Sequence, residues 1–127
     1  MISILLISHG TFADGVRLTL QRFYGETMKI DSLCLLPEDD PQLFEERIEQ
    51  IYRLNQPSKG FLILADFPGG NVCDAAINSA KKHTDVRVVT GLNLRMALDA
   101  CTLRNTMTLD GLCIQVSLSA RDSIEIL

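Results

Sequence analysis

Four short aliphatic segments, rich in β-branched residues and separated by amphipathic stretches, constrain this chain more than any other feature. They are "ISILLIS" (2–8), "MKIDSLCLL" (28–36), "GFLILAD" (60–66) and "DVRVVTG" (85–91), and they look like buried strands. Between the first two, residues 13–25 carry Val16, Leu20 and Phe23 at helical spacing. Residues 41–54 place Leu43, Phe44, Ile48 and Ile51 on one face, and Asp39-Asp40 before Pro41 is a helix start. The order β-α-β-α-β-α-β predicts an α/β domain, an open doubly wound sheet of four parallel strands with helices on both faces, because parallel neighbours need crossover connections. Leu109, Leu112, Cys113, Val116 and Ala120 predict a further helix over 109–121. The final "SIEIL" (123–127) alternates, and as a short strand it needs a sheet edge, which another chain can supply.

Composition narrows the class. With 127 residues, 46% of them hydrophobic, residues 1–127 are expected to form one globular domain. The longest apolar runs, Ile4–Ile7 and Phe61–Ala65, fall far short of the roughly 20 residues that span a bilayer. Met1-Ile2-Ser3 is no basic leader, so a cytoplasmic location is expected. Cys34, Cys73, Cys101 and Cys113 lie far apart without a C-x-x-C, and there are only two histidines. Reduced, packed thiols are expected rather than a metal site or disulfide frame. A net charge of −4 without a basic cluster excludes a nucleic-acid footprint and points to protein or small-molecule partners.

The first strand ends on Ser8-His9-Gly10. A histidine there can be a packing residue, a metal ligand, a hydrolytic nucleophile or a phosphate carrier. With the strands in the order 2-1-3-4, His9 and Asp66, which ends the third segment, share one rim beyond the carboxyl ends of neighbouring strands, where open sheets bind ligands. A carboxylate on one imidazole nitrogen fixes the tautomer and leaves the other nucleophilic. In "DFPGGNVCDAA" (66–76), Gly69-Gly70 stand between a strand and a helix starting near Asn71, so backbone amides can face an anion. Gly10 and Thr11 lead into a second helix start beside the same histidine. Phosphate binding is thus expected at Gly10, Thr11, Gly69, Gly70 and Asn71. His83 reads as a surface residue at a helix end. In "GLNLRMALDA" (91–100), Asn93 reads as a cap, Met96 and Leu98 as packing residues, and Arg95 as a solvated charge or part of a docking face.

"SHGTFADG", "ADFPGGNVCDAA" and "TGLNLRMALDA", in this order and spacing, resemble the enzyme IIA domains of the mannose class of the bacterial phosphoenolpyruvate-dependent sugar phosphotransferase system (PTS), over nearly the whole chain. The resemblance implies that His9 takes a phosphoryl group from the carrier HPr at Nε2 and passes it to enzyme IIB, which serves membrane components of a sugar transporter. Asp66 would orient the imidazole, with no metal or cofactor. It also implies a homodimer in which 123–127 joins the partner's sheet as an antiparallel edge. The chain ends without a linker to a IIB domain, so IIB is expected as a separate polypeptide. Where the family usually reads Gly-Gly-Ser/Thr-Pro-Phe-Asn, this chain has Gly69-Gly70-Asn71-Val72-Cys73-Asp74. The phosphocarrier subunit of a dihydroxyacetone kinase is similar, and a dimeric regulatory module without transfer activity is a third reading. Histidine phosphatases need an arginine where Ser8 stands, and small chelatases need more metal ligands than His9 and His83 supply. The swapped strand predicts a dimer in sedimentation at micromolar concentration; a monomer would contradict it.

Overall fold

The computed structural model describes residues 1–127 as a four-stranded sheet between two helical layers. In chain order the elements are β1 (Ser3–His9), α1 (Phe12–Tyr24), a 3-10 turn (Glu26–Met28), β2 (Asp31–Leu35), α2 (Pro41–Leu54), β3 (Phe61–Ala65), α3 (Gly70–Lys82), β4 (Val86–Thr90), α4 (Leu94–Leu103) and α5 (Leu109–Asp122). The strands are all parallel in the order β2-β1-β3-β4, as the crossover pattern requires. The four expected parallel strands and the expected helices are present, within a few residues at their ends.

Side-chain parity divides the core in two. Ile4 and Leu6 of β1, with Leu62 and Leu64 of β3, face Val16 and Leu20 of α1, Met96 and Ala100 of α4, and Leu112 and Val116 of α5. Leu5 and Ile7, with Phe61, Ile63 and Ala65, face Phe44 and Ile48 of α2 and Val72 and Ala76 of α3. Successive strand side chains point to opposite faces, so strands apolar at every position need helices on both sides, and β1 and β3 are such strands.

Some expectations need correction. Phe23 and Leu43 match the apolar spacing of their helices yet stand 63% and 51% exposed; each lies at the margin of a stripe already filled by residues one turn away. His83 is no plain surface residue. Its ring stacks on Tyr52, centroids 4.0 Å apart, and its Nε2 lies 2.7 Å from Glu49 Oε2, so the end of α3 is fastened to α2. Burial alone would raise the Glu49 carboxyl, but the pairing with His83 outweighs it and holds the group below its usual range. Residues 123–127 form no strand. They pair with none of the chain's own strands, and Ile126 and Leu127 are fully exposed. The cysteines are free, and burial pushes the Cys101 thiol up to about 11.

One structural residue escaped the sequence pattern. Arg104, just past α4, is 4% exposed. Its Nε donates to the Ile2 carbonyl at 2.9 Å, and Nη1 donates to the carbonyls of Met28 and Lys29 at 2.9 and 3.1 Å. The guanidinium thereby joins the foot of β1 to the chain entering β2. Arg104→Met should cost about 2–4 kcal/mol, because it leaves buried carbonyls unpaired. Urea unfolding at neutral pH measures it, and a loss under about 0.5 kcal/mol would contradict the role.

Candidate functional site

The parity that builds the core also aims the residues at its rim. Ser8 continues the α1 side of β1, and its buried hydroxyl accepts the Ala13 amide at 2.7 Å. His9, next in line, turns to the other face and emerges from the sheet, its side chain 42% exposed. The β1–β3 register ends at Ile7 opposite Ala65, so the following residues, Asp66 among them, lie alongside His9.

Asp66 holds His9 in two ways. Oδ2 accepts the His9 backbone amide at 2.9 Å and lies 2.8 Å from ring Nδ1, while Oδ1 accepts the Phe67 amide at 2.9 Å. Burial alone would raise this carboxyl, yet the hydrogen bonds from the His9 amide, the His9 ring and the Phe67 amide together hold it below its ordinary range. An ionised Asp66 requires a proton on Nδ1, so the lone pair of a neutral ring is at Nε2. Phe67 stacks on the imidazole with centroids 5.2 Å apart and planes 25° apart. Ring rotation is therefore blocked from one face and one edge.

Nε2 points to the start of α3. A Cβ built on Gly70 would lie 3.5 Å from Nε2, and with φ +77 the position favours glycine for its backbone as well. Helices α2, α4 and α5 are capped by side chains of Asp40, Asn93 and Thr108. Helices α1 and α3 have no cap side chain at Thr11 or Gly69. The amides of Gly70, Asn71 and Val72 have no acceptor within the chain, which leaves the positive end of α3 open beside the ring.

The expected site residues thus come together unequally. Asp66 and Gly70 adjoin the His9 ring, and Gly69 and Asn71 flank Gly70 at the start of α3. Thr11 begins α1, and its amide is also unpaired. Gly10 differs, because its amide donates to the Leu35 carbonyl at 2.9 Å; its φ of +59 turns the chain from strand to helix. Phe67 and Ser8 were not singled out in the sequence. An aromatic after a strand-end aspartate carries no signal of its own, whereas the even parity of Ser8 beside a helix start could have revealed its cap. Asn93 caps α4 and Met96 is buried as expected, Leu98 is partly buried, and Arg95 lies 3.7 Å from Asp99. No three His, Cys, Asp or Glu side chains cluster so as to hold a metal ion, and no helix is long and apolar enough to cross a membrane.

A nucleophilic nitrogen, a fixed tautomer and unpaired amides on an open rim suit transfer of an anionic group between proteins. Comparison with known proteins gives the family. The family described as PTS system fructose IIA component matches residues 3–116. The sorbose-specific EIIA component of the PTS from Klebsiella pneumoniae is 24% identical over 113 residues, covering 89% of this chain and 82% of the relative. The fructose-specific EIIA component from Bacillus subtilis is 21% identical over 126 residues, covering 99% and 86%. A crystal structure of the phosphotransferase system component EIIA from Streptococcus agalactiae superposes with a TM-score of 0.89 at 25% identity, covering 99% of this chain and 97% of that one.

The depressed Asp66 carboxyl sets a pH signature. Its stabilisation is complete above the ordinary aspartate value of about 3.9 and is lost as pH falls through its lower folded value. Asp66→Asn should be about 2 kcal/mol less stable than the wild type at pH 7, and the gap should close as pH falls below about 4. Urea unfolding from pH 7 downward checks it; a gap independent of pH would contradict the role given to the ionised carboxylate.

Proposed function

Since the chain belongs to the mannose-class enzyme IIA family of the sugar phosphotransferase system, we propose that it carries a phosphoryl group on His9. The group would come from HPr and pass to an enzyme IIB partner during sugar uptake, with residues 1–127 acting as a single phosphocarrier domain in the cytoplasm. The observation that carries this reading is the orientation of the ring. Nδ1 is held by Asp66, and Nε2 faces the unpaired amides at the start of α3.

The step balances without further reagents. The Nε2 lone pair attacks phosphorus, the bond from phosphorus to the donor's carrier atom breaks, and its electron pair returns to the donor. The Nδ1 proton stays between His9 and Asp66, so the charge gained by the imidazole is met by the carboxylate. The amides of Gly70, Asn71 and Val72 would meet the charge on the phosphoryl oxygens, with Gly69 shaping their turn and the unpaired amide of Thr11 at the start of α1 as a further donor. In transfer to IIB the partner's nucleophile attacks phosphorus, the bond from phosphorus to Nε2 breaks, and its electron pair returns to the His9 ring. Partner docking is consistent with the exposed Phe67 ring stacked on the imidazole, 52% exposed. A homodimer completed by 123–127 belongs to the same reading, because Ile124 is 78% and Ile126 is 102% exposed in the single chain.

The decisive experiment is intact-mass spectrometry at neutral pH after incubation with phosphoenolpyruvate, enzyme I and HPr. One acid-labile phosphate is expected on the wild type and none on His9→Ala. Asp66→Asn should fold but load on the order of 10²–10⁴-fold more slowly. Gly70→Ala should keep His9 intact yet lose loading, since its methyl group would sit against Nε2. Normal labelling of His9→Ala would overturn the assignment.

A further inference from the structure

The helix that offers amides to the ring also carries an unbalanced negative charge one turn on. Val72, Cys73, Ala75, Ala76 and Ser79 are the buried side of this helix, while Gly70, Asn71, Asp74 and Ile77 are exposed. Residues four apart differ by about 40° around a helix and about 6 Å along it. Asp74 therefore stands one turn beyond Gly70 on the same face. Helical side chains lean back toward the N-terminus, over the preceding turn. Here that turn is Gly70, which has no side chain to intervene and whose would-be Cβ lies 3.5 Å from His9 Nε2. The Asp74 carboxylate takes part in no ion pair, so no neighbouring cation neutralises it, and its field reaches that space through solvent.

We infer that Asp74 tunes the transfer potential of the loaded carrier by standing near a phosphoryl group on His9 and raising the free energy of the phosphorylated state. The inference rests on the proposed phosphorylation of His9. Unpaired amides at the helix start attract the phosphoryl dianion, and Asp74, one turn further along the same face, opposes them. Held only by amides, the group would be trapped; the opposing carboxylate lowers the barrier to handing it on. Asp74 touches no reacting atom and acts through space, so salt should weaken its effect.

The test measures the equilibrium between phosphorylated HPr and the phosphorylated carrier by intact mass, for the wild type, Asp74→Asn and Asp74→Glu, at low ionic strength and in about 1 M salt. Asp74→Asn should shift the equilibrium toward the loaded carrier by roughly three- to tenfold at low salt, and the shift should collapse at high salt. Asp74→Glu, which restores the charge, should stay near the wild type. An unchanged equilibrium in Asp74→Asn, with normal loading, would overturn the inference alone. So would a shift that persists in high salt, which indicates altered packing rather than charge. A wild type that takes no phosphoryl group from HPr would overturn the proposed function and this inference with it.

Discussion

The parallel ladder between β1 and β3, running from Ser3 opposite Phe61 to Ile7 opposite Ala65, is the constraint on which the rim depends. Both strands are buried along almost their whole length, so a one-residue slip would exchange every side chain between two differently packed cores. That penalty locks the register, and the register brings Asp66 within 3 Å of both the amide and the ring of His9. The geometry of the imidazole is thereby secured by hydrophobic packing several residues away from it. A carboxylate on a mobile loop would have to find the ring; this one is delivered by the sheet.

Much of this was legible in the sequence, for a physical reason. Strands apolar at both parities can only be central and doubly covered, which announces the two helical layers and places their carboxyl ends on one rim. His9 and Asp66 are polar residues terminating two such strands, so their meeting follows from strand order alone. The open start of α3 was equally visible, because Gly69-Gly70 offers no capping side chain. Asp40 and Asn93, by contrast, read as caps and are caps.

What was not legible depends on contacts between residues distant in the chain. Arg104 binds carbonyls about 75 and 102 residues away, and no local pattern marks an arginine for burial. His83 follows two lysines, as a solvated residue would, yet finds Tyr52 and Glu49 on α2. Helical spacing identified the apolar stripes but not their edges, so Phe23 and Leu43 were read as core. "SIEIL" shows the complementary limit: an alternating pattern states what a segment can do with a neighbour, and the single chain offers it none.

The exposure of the His9 ring, 42% by side chain, has a consequence for time rather than geometry. Enzymes that handle labile intermediates commonly shut water out, whereas here the nucleophilic nitrogen lies at an open edge. In the proposed role, the loaded carrier diffuses between partners with its cargo uncovered, so spontaneous hydrolysis is a clock that starts at loading. Only a docked partner can stop that clock, by covering the rim with its own surface. Delivery would then be selected by promptness, and an idle carrier would discharge itself.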